Sequence, residues 1–292
     1  MSLLGQVLQT SPEELEHRAG ERLLVLPDPS ALYHHFAESI AAEIETNNHA
    51  GRPTRLILPL GPRGQFPILA RICNERRISW ERTHVFFMDE YLDWQGRPIP
   101  VEHPLSFEGF ARQNFFSLLD EPLRLPESQL RFPHPLKLDE LAAEIDAAGG
   151  IDSCYGGIGI HGHIAFNEPP TVGLWRVSAE EFRNSMPRVV FLNPETVTMG
   201  AARWTGGDVG SFPSMAVTLG MKQLLSARRM RLYCDGGSWQ RAALRAALLA
   251  EPSVEYPVSL ARDHRDLLII ADRATAGYGD AGKARGGSSA AL

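Results

Sequence analysis

Residues 156–169 read Gly-Gly-Ile-Gly-Ile-His-Gly-His-Ile-Ala-Phe-Asn-Glu-Pro and concentrate more potential chemistry than any other stretch of the chain. His161 and His163 carry imidazoles that can move protons near neutral pH. Glu168 follows closely enough to orient one of them. The glycines, Gly159 among them, permit turns that a Cβ resists and let backbone N–H groups approach a ligand. A second candidate is Met88-Asp89-Glu90-Tyr91, directly after the apolar run Val85-Phe86-Phe87, where at least one carboxylate is expected to line a cleft. The third is Leu58-Pro59-Leu60-Gly61-Pro62-Arg63-Gly64, in which Arg63 offers a bidentate guanidinium for an anion.

Positioning these groups calls for a regular scaffold, and the sequence has the pattern of one. Short apolar runs alternate with amphipathic segments, which predicts βαβ units, a doubly wound and mostly parallel sheet, and helices on both faces. Strands are expected at Leu23–Leu26, Thr54–Leu60, Thr83–Met88, from Ile151, at Arg188–Leu192, Met230–Cys234 and Leu267–Ala271. Asp28-Pro29 is a helix start, since Asp caps and Pro suits the first helical position. Leu32, Phe36, Ile40 and Ile44 then repeat along one face. Ser106 caps a helix carrying Phe107, Phe110, Phe115 and Leu118, and further helices are expected at Asp139–Ala148, near Met221–Ser226 and at Ser238–Ala250. The three chemical loops all fall at carboxyl ends of strands, where open parallel sheets gather ligands.

Composition narrows the class. With 292 residues, 43% of them hydrophobic, the chain can build a substantial core. The expected organisation is one α/β domain over residues 1–276 with a Gly/Ala/Ser-rich flexible tail over 277–292. A net charge of −6 without a basic run argues against nucleic acid as a partner. No apolar stretch is long enough for a membrane span, and no signal pattern opens the chain. Cys73, Cys154 and Cys234 are isolated, which fits a reduced, cytoplasmic protein.

Two other chemistries have partial signatures at the glycine-rich loop. Gly157-x-Gly159-x-x-Gly162 matches a dinucleotide fingerprint in form, but the prolines and Asn-Glu that follow do not open a helix, and no strand ending in an acid appears about twenty residues on. His161-x-His163 suggests a metal pair, yet the spacing names no third ligand and Glu168 has a use as the partner of an imidazole. Neither a cofactor nor a metal is therefore expected.

Met88-Asp89-Glu90-Tyr91, His103-Pro104-x-Ser106, Asn114-Phe115-Phe116 and the stretch from Gly156 to Pro169 together resemble the glucosamine-6-phosphate deaminase/isomerase family, in the superfamily of the 6-phosphogluconolactonases. The resemblance runs in order from the first strand to about Asp272, and the Phe-Asn-Glu-Pro ending favours the deaminase branch. It implies a Rossmann-like α/β/α sandwich that holds no dinucleotide. It also implies that Asp89 moves a proton between C2 and C1 of the open-chain sugar, that His163 assists ring opening, and that Glu168 holds and polarises His163; the short Gly-rich spacing adds the expectation of a hydrogen bond between these two, direct or through one water.

The chain departs from the family pattern around the ligand. His161 stands where the family usually has Asp, and the Gly61–Gly64 loop has lost hydroxyl donors and gained Arg63. Gln240 stands at the family lysine with Arg241 beside it, and Arg203 falls loosely at a phosphate-binding arginine. The expectation is a diverged enzyme acting on an amino sugar phosphate or related anionic sugar. Asp89, His163, Glu168 and His161 are the candidate catalytic residues, and Gly61, Arg63, Gly64, Gly159, Arg203 and Arg241 the substrate contacts. The alternatives are a lactonase using His163 as base and a non-catalytic sugar-phosphate-binding protein. The implied partner is a small sugar phosphate, with no membrane partner and room for a homo-oligomer.

Overall fold

The computed structural model describes residue 5, residues 9–170 and residues 176–279. Its strands, in chain order, are β1 (Leu23–Leu26), β2 (Thr54–Leu58), β3 (Thr83–Phe87), β4 (Asp89–Leu92), β5 (Leu130–Arg131), β6 (Ser153–Gly157), β7 (Arg188–Phe191), β8 (Met215–Thr218), β9 (Arg229–Cys234) and β10 (Leu267–Asp272). Seven of them form one sheet in the order β1-β10-β9-β6-β2-β3-β5, and every pairing in it is parallel. From β2 the chain lays β3 and β5 outward on one side, and from β6 it lays β9 and β10 outward on the other. The winding reverses between β2 and β6, and a crevice opens at such a point above the carboxyl ends.

Alternation along the strands explains the layers. Leu56, Leu58, Val85, Phe87, Tyr155 and Tyr233 face one buried cluster with Leu32, Phe36, Ile40 and Ile44 of the helix Pro29–His49. Ile57, Phe86, Cys154, Leu232 and Cys234 face the other, with Leu244 and Leu248 of the helix Arg241–Leu249. Helices therefore cover both faces, as the sequence pattern predicts. Asp28 caps Pro29–His49 by accepting the Ala31 N–H at 2.9 Å, and Ser106 caps Phe107–Asn114 by accepting the Gly109 N–H at 3.0 Å. That second helix stops at Asn114, and Phe115 and Leu118 lie at and after its end.

The sheet is not the whole of the β structure. After β3 the chain does not stop at Met88 but continues as β4 in a separate three-stranded antiparallel sheet, β4-β8-β7. Arg188–Phe191 is a strand as expected, yet it belongs to this small sheet. Met88 makes the transition: its N–H still donates to Leu58 O at 3.2 Å, while its C=O already accepts from Leu219 N at 2.8 Å. Asp89 thereby pairs with Thr218 across the new sheet. A helix over Pro194–Trp204, with proline in its first turn, has no counterpart among the sequence expectations. No helix among the described residues is long and apolar enough to cross a membrane. The last helix closes on Gly277 at φ 106°, and residues 280–292 of the expected tail lie outside the described residues.

Candidate active site

Four neighbouring strands, β9, β6, β2 and β3, deliver their carboxyl-end loops to one cleft. Gly61 and Pro62 come from the loop after β2, Asp89 from the start of β4 just past β3, Gly159 and His163 from the loop after β6, and Asp235, Trp239 and Gln240 from the loop after β9. Thr196, Met199, Arg203 and Trp204, on the helix Pro194–Trp204, form the facing wall.

The two adjacent carboxylates after β3 go to opposite tasks because successive strand residues face opposite ways. Glu90 turns from the cleft and accepts from the N–H groups of Phe107 at 3.0 Å and Glu108 at 2.8 Å, holding the start of the helix Phe107–Asn114. Asp89 lines the cleft, is buried, and receives no side-chain hydrogen bond among the described residues. Burial first, and the neighbouring Glu90 second, hold its pKa well above the ordinary carboxylate range.

The loop after β6 is built to carry His163. Gly159 N–H donates to His163 O at 2.9 Å and Gly162 N–H donates to Gly159 O at 2.9 Å, closing a tight turn in which Gly162 has φ 71°. Ala165 follows at φ 53°, a conformation costly for a residue with a Cβ, beside the imidazole it helps aim. Asn167 is fully buried and pins the loop, donating to Ile164 O at 3.1 Å and Leu219 O at 2.9 Å. His163 packs over Gly159 with Nε2 toward it. Burial, reinforced by His161, pushes its pKa down to about 3, so the imidazole is neutral at physiological pH.

Glu168 comes within 3.8 Å of His163 Nδ1 through Oε1, beyond direct hydrogen-bond reach; the expectation from the sequence is a bond made directly or through one water. Its other oxygen accepts from the Asn193 N–H at 2.5 Å, at the start of the helix Pro194–Trp204. Burial raises the Glu168 pKa. His161 packs beside His163, ring centroids 5.8 Å apart, with Nε2 3.4 Å from Glu195 Oε2. It stands behind the lining of the cleft, not on it.

The predicted binding residues separate. Gly61 and Gly159 line the cleft, as does Arg203, the single cation among its described lining residues. Gly64 sits beneath the Tyr33 ring, where a Cβ would come within 2.5 Å. Arg63 is not on the cleft wall: its guanidinium lies between Phe110, at 4.5 Å, and Trp204, at 4.4 Å, and its Nε donates to Leu60 O at 3.1 Å. Arg241 does not reach the cleft either. Adjacent helical residues diverge by about 100°, so with Gln240 turned inward Arg241 faces away. Gln240 donates to Ile158 O and accepts from the Gly236 N–H at 2.8 Å, while Arg241 donates to Ala274 O at 2.9 Å. The rings of Trp204 and Trp239, and Asp235, which accepts from the Tyr33 hydroxyl, line the cleft with no motif to announce them.

Arg63 thus clamps the loop after β2 to the end of the helix Pro194–Trp204. Partly desolvated cation–π contacts are each worth roughly 0.5–2 kcal/mol. Arg63→Ala is expected to lower unfolding stability by about 1–3 kcal/mol in denaturant titration, by the same estimate. It should weaken anionic-sugar binding less than Arg203→Ala does. An unchanged unfolding midpoint would remove the clamp.

No known protein-family profile matches the chain. It is 30% identical over 256 residues to a glucosamine-6-phosphate deaminase of Caenorhabditis elegans, spanning 86% of this chain and 89% of the relative. It is 31% identical over 258 residues to the glucosamine-6-phosphate deaminase of Porphyromonas gingivalis, spanning 87% of this chain and 92% of that protein. Among solved structures, a monomeric glucosamine-6-phosphate deaminase superposes with a TM-score of 0.74 at 24% identity, over 87% of this chain and 98% of the other. A 6-phosphogluconolactonase from Trypanosoma cruzi superposes with a TM-score of 0.62 at 19% identity, over 87% of this chain and 95% of the other. These last two likenesses are of fold.

Proposed function

Because the chain belongs to the glucosamine-6-phosphate deaminase family, we propose that it isomerises and deaminates an amino sugar phosphate or a closely related anionic sugar. The observation that carries the reading is the meeting of Asp89 and His163 at one cleft. One is a buried carboxylate without a donor, the other a neutral imidazole held over a glycine.

The reaction then divides between them. His163 relays to the ring oxygen the proton that the anomeric hydroxyl loses, so the ring opens and the imidazole is neutral before and after. Asp89 removes the proton from C2 and returns it to C1 while an amine proton passes to O1, so the aldehyde becomes an alcohol and C2 an imine, which becomes the ketone on hydrolysis. Water adds to that carbon and ammonia leaves, so one water is consumed for each ammonia released. Arg203 holds the charged end of the sugar, with Gly61 and Gly159 giving close backbone approach. Glu168, 3.8 Å from His163 Nδ1, is placed to orient the imidazole. The same proposal includes one domain over residues 1–276 and a cytoplasmic location, supported by the two clusters around one sheet and by three buried free thiols.

Ammonia release, aldose–ketose interconversion and lactone opening, assayed separately, test the assignment. Lactone opening alone would replace it with the lactonase reading, since that reaction needs no proton shuttle between carbons. Binding without any turnover would make the protein a sugar-phosphate binder.

A pH profile gives a further check. A base must be ionised to act, and Asp89 is held above the ordinary carboxylate range. Turnover should therefore fall on acidification at a pH higher than an exposed aspartate would give, and His163, already neutral, should add no limb there. A kcat/KM profile that stays flat down to about pH 4, where an ordinary aspartate titrates, would exclude Asp89 as the base.

A further inference from the structure

Behind the cleft, the buried atoms His161 Nδ1, His163 Nδ1 and Glu168 Oε1 make no hydrogen bond, and the Thr196 hydroxyl lies beside the Glu168 carboxylate. One ligand atom from each of these residues lies within 4.8 Å of the other two. The His163 and Glu168 side chains are only 9% and 5% exposed. Leaving buried donors and acceptors without partners is costly, so such a cluster calls for an occupant.

We infer that His161, His163 and Glu168 bind a divalent first-row transition ion, with zinc the best match to two imidazoles and a carboxylate. The spacing of His161 and His163 names no third ligand; the fold supplies one by bringing Glu168 back against them. Two nitrogens and one carboxylate oxygen, with a position left for water, make a donor set that zinc and its neighbours accept. Donors around a tetrahedral zinc at ~2.0–2.1 Å stand roughly 3.3 Å apart. The present spacing closes to that by side-chain rotation, most easily at His161, the least buried of the three.

The outer contacts are those a ligand set requires. The second oxygen of Glu168 is anchored by the Asn193 N–H, which fixes the plane of the carboxylate. The far nitrogen of His161 faces Glu195, a carboxylate placed to take its proton. An ion on His163 Nδ1 leaves the proton on Nε2, the nitrogen over Gly159. Binding of the ion stands independently of the reaction; its effect on turnover, by fixing that tautomer, rests on the deaminase reading.

The test is a titration of the full chain, stripped with a chelator, with zinc against a competing chromogenic chelator, and with cobalt followed by its visible absorption. One equivalent is expected to bind with a submicromolar dissociation constant. His161→Asn and Glu168→Gln should each weaken it by about 100-fold or more while the protein still melts cooperatively. Should either variant misfold, His161→Asp retains an oxygen donor and is expected to shift the cobalt band without abolishing it. No stoichiometric zinc uptake by the wild-type chain, with an unchanged melting midpoint, would overturn the site and leave water as the occupant. Uptake equal in wild type and variants would place the ion elsewhere and overturn it as well. Neither readout needs turnover. Zinc bound without ammonia release would sink the deaminase reading alone, and ammonia release without zinc binding would sink the metal site alone.

Discussion

Asp89→Asn is expected to cut turnover by roughly 10²- to 10⁴-fold, the scale of a lost general base, while making the folded protein more resistant to heat at neutral pH. The first effect follows from chemistry: an amide keeps the shape of the side chain but cannot take a proton from carbon. The second follows from the setting. Asp89 is buried without a compensating donor, and its folded pKa lies well above the ordinary 3.8. Between those two values the folded state holds a proton that the unfolded chain has released. Stability therefore falls as pH rises through that window, and the ionised carboxylate is a cost at neutrality. The variant escapes this cost, so its melting advantage should be present at pH 7 and shrink on acidification toward pH ~4, where an ordinary aspartate is itself protonated. Such a trade of stability for activity is usual at an active site. Turnover equal to wild type would dismiss Asp89 as the shuttle, and a melting advantage that grows on acidification would contradict the assigned pKa direction.

The parallel sheet was legible because its strands are buried on both faces. Runs such as Leu56-Ile57-Leu58 and Val85-Phe86-Phe87 have no polar alternation to obscure them. The small antiparallel sheet was not. Asp89–Leu92 reads as the polar end of β3, and Arg188–Phe191 alternates between partly buried and exposed positions, so nothing local says which sheet either joins. That sheet matters because it fixes the site from the far side. Asp89 pairs with Thr218, whose hydroxyl also accepts the Phe166 N–H at 3.2 Å. The chain after β7 supplies the Asn193 N–H that holds Glu168.

The residues that carry chemistry were legible by type and position, and the cations were less so. Arg63 and Arg203 both suggest an anion site, but only Arg203 reaches the cleft. The guanidinium of Arg63 lies between two aromatic faces, and its contact with Trp204 pairs the loop after β2 with the end of a helix about 140 residues later, which no local pattern encodes. Arg241 fails for a different reason: one residue of helical phase sends it to Ala274 while Gln240 takes the inward position. Sequence proximity identified the loop, and helical phase decided which side chain entered it.

Gly159→Ala is expected to disable ring opening while leaving the later proton transfer largely intact. The added methyl would lie 1.9 Å from His163 Nε2, 2.2 Å from its Cε1 and 2.4 Å from its Cδ2, distances no pair of atoms tolerates. The loop cannot slide to relieve the clash, because Gly159 is bonded to His163 O through its N–H and to the Gly162 N–H through its carbonyl. Its own φ lies outside the left-handed region, so alanine meets no backbone penalty there and acts as a wedge against the ring. The imidazole must therefore swing away from the sugar. A displaced acid–base group costs on the order of 10²-fold or more. That loss should appear in kcat/KM for the ring-closed substrate. It should be much smaller for an analogue that cannot close its ring, which has no use for His163 but still needs Asp89. Equal losses on both substrates would mean that the methyl obstructs the sugar rather than moving the imidazole. Undiminished turnover of the ring-closed form would remove His163 from the mechanism.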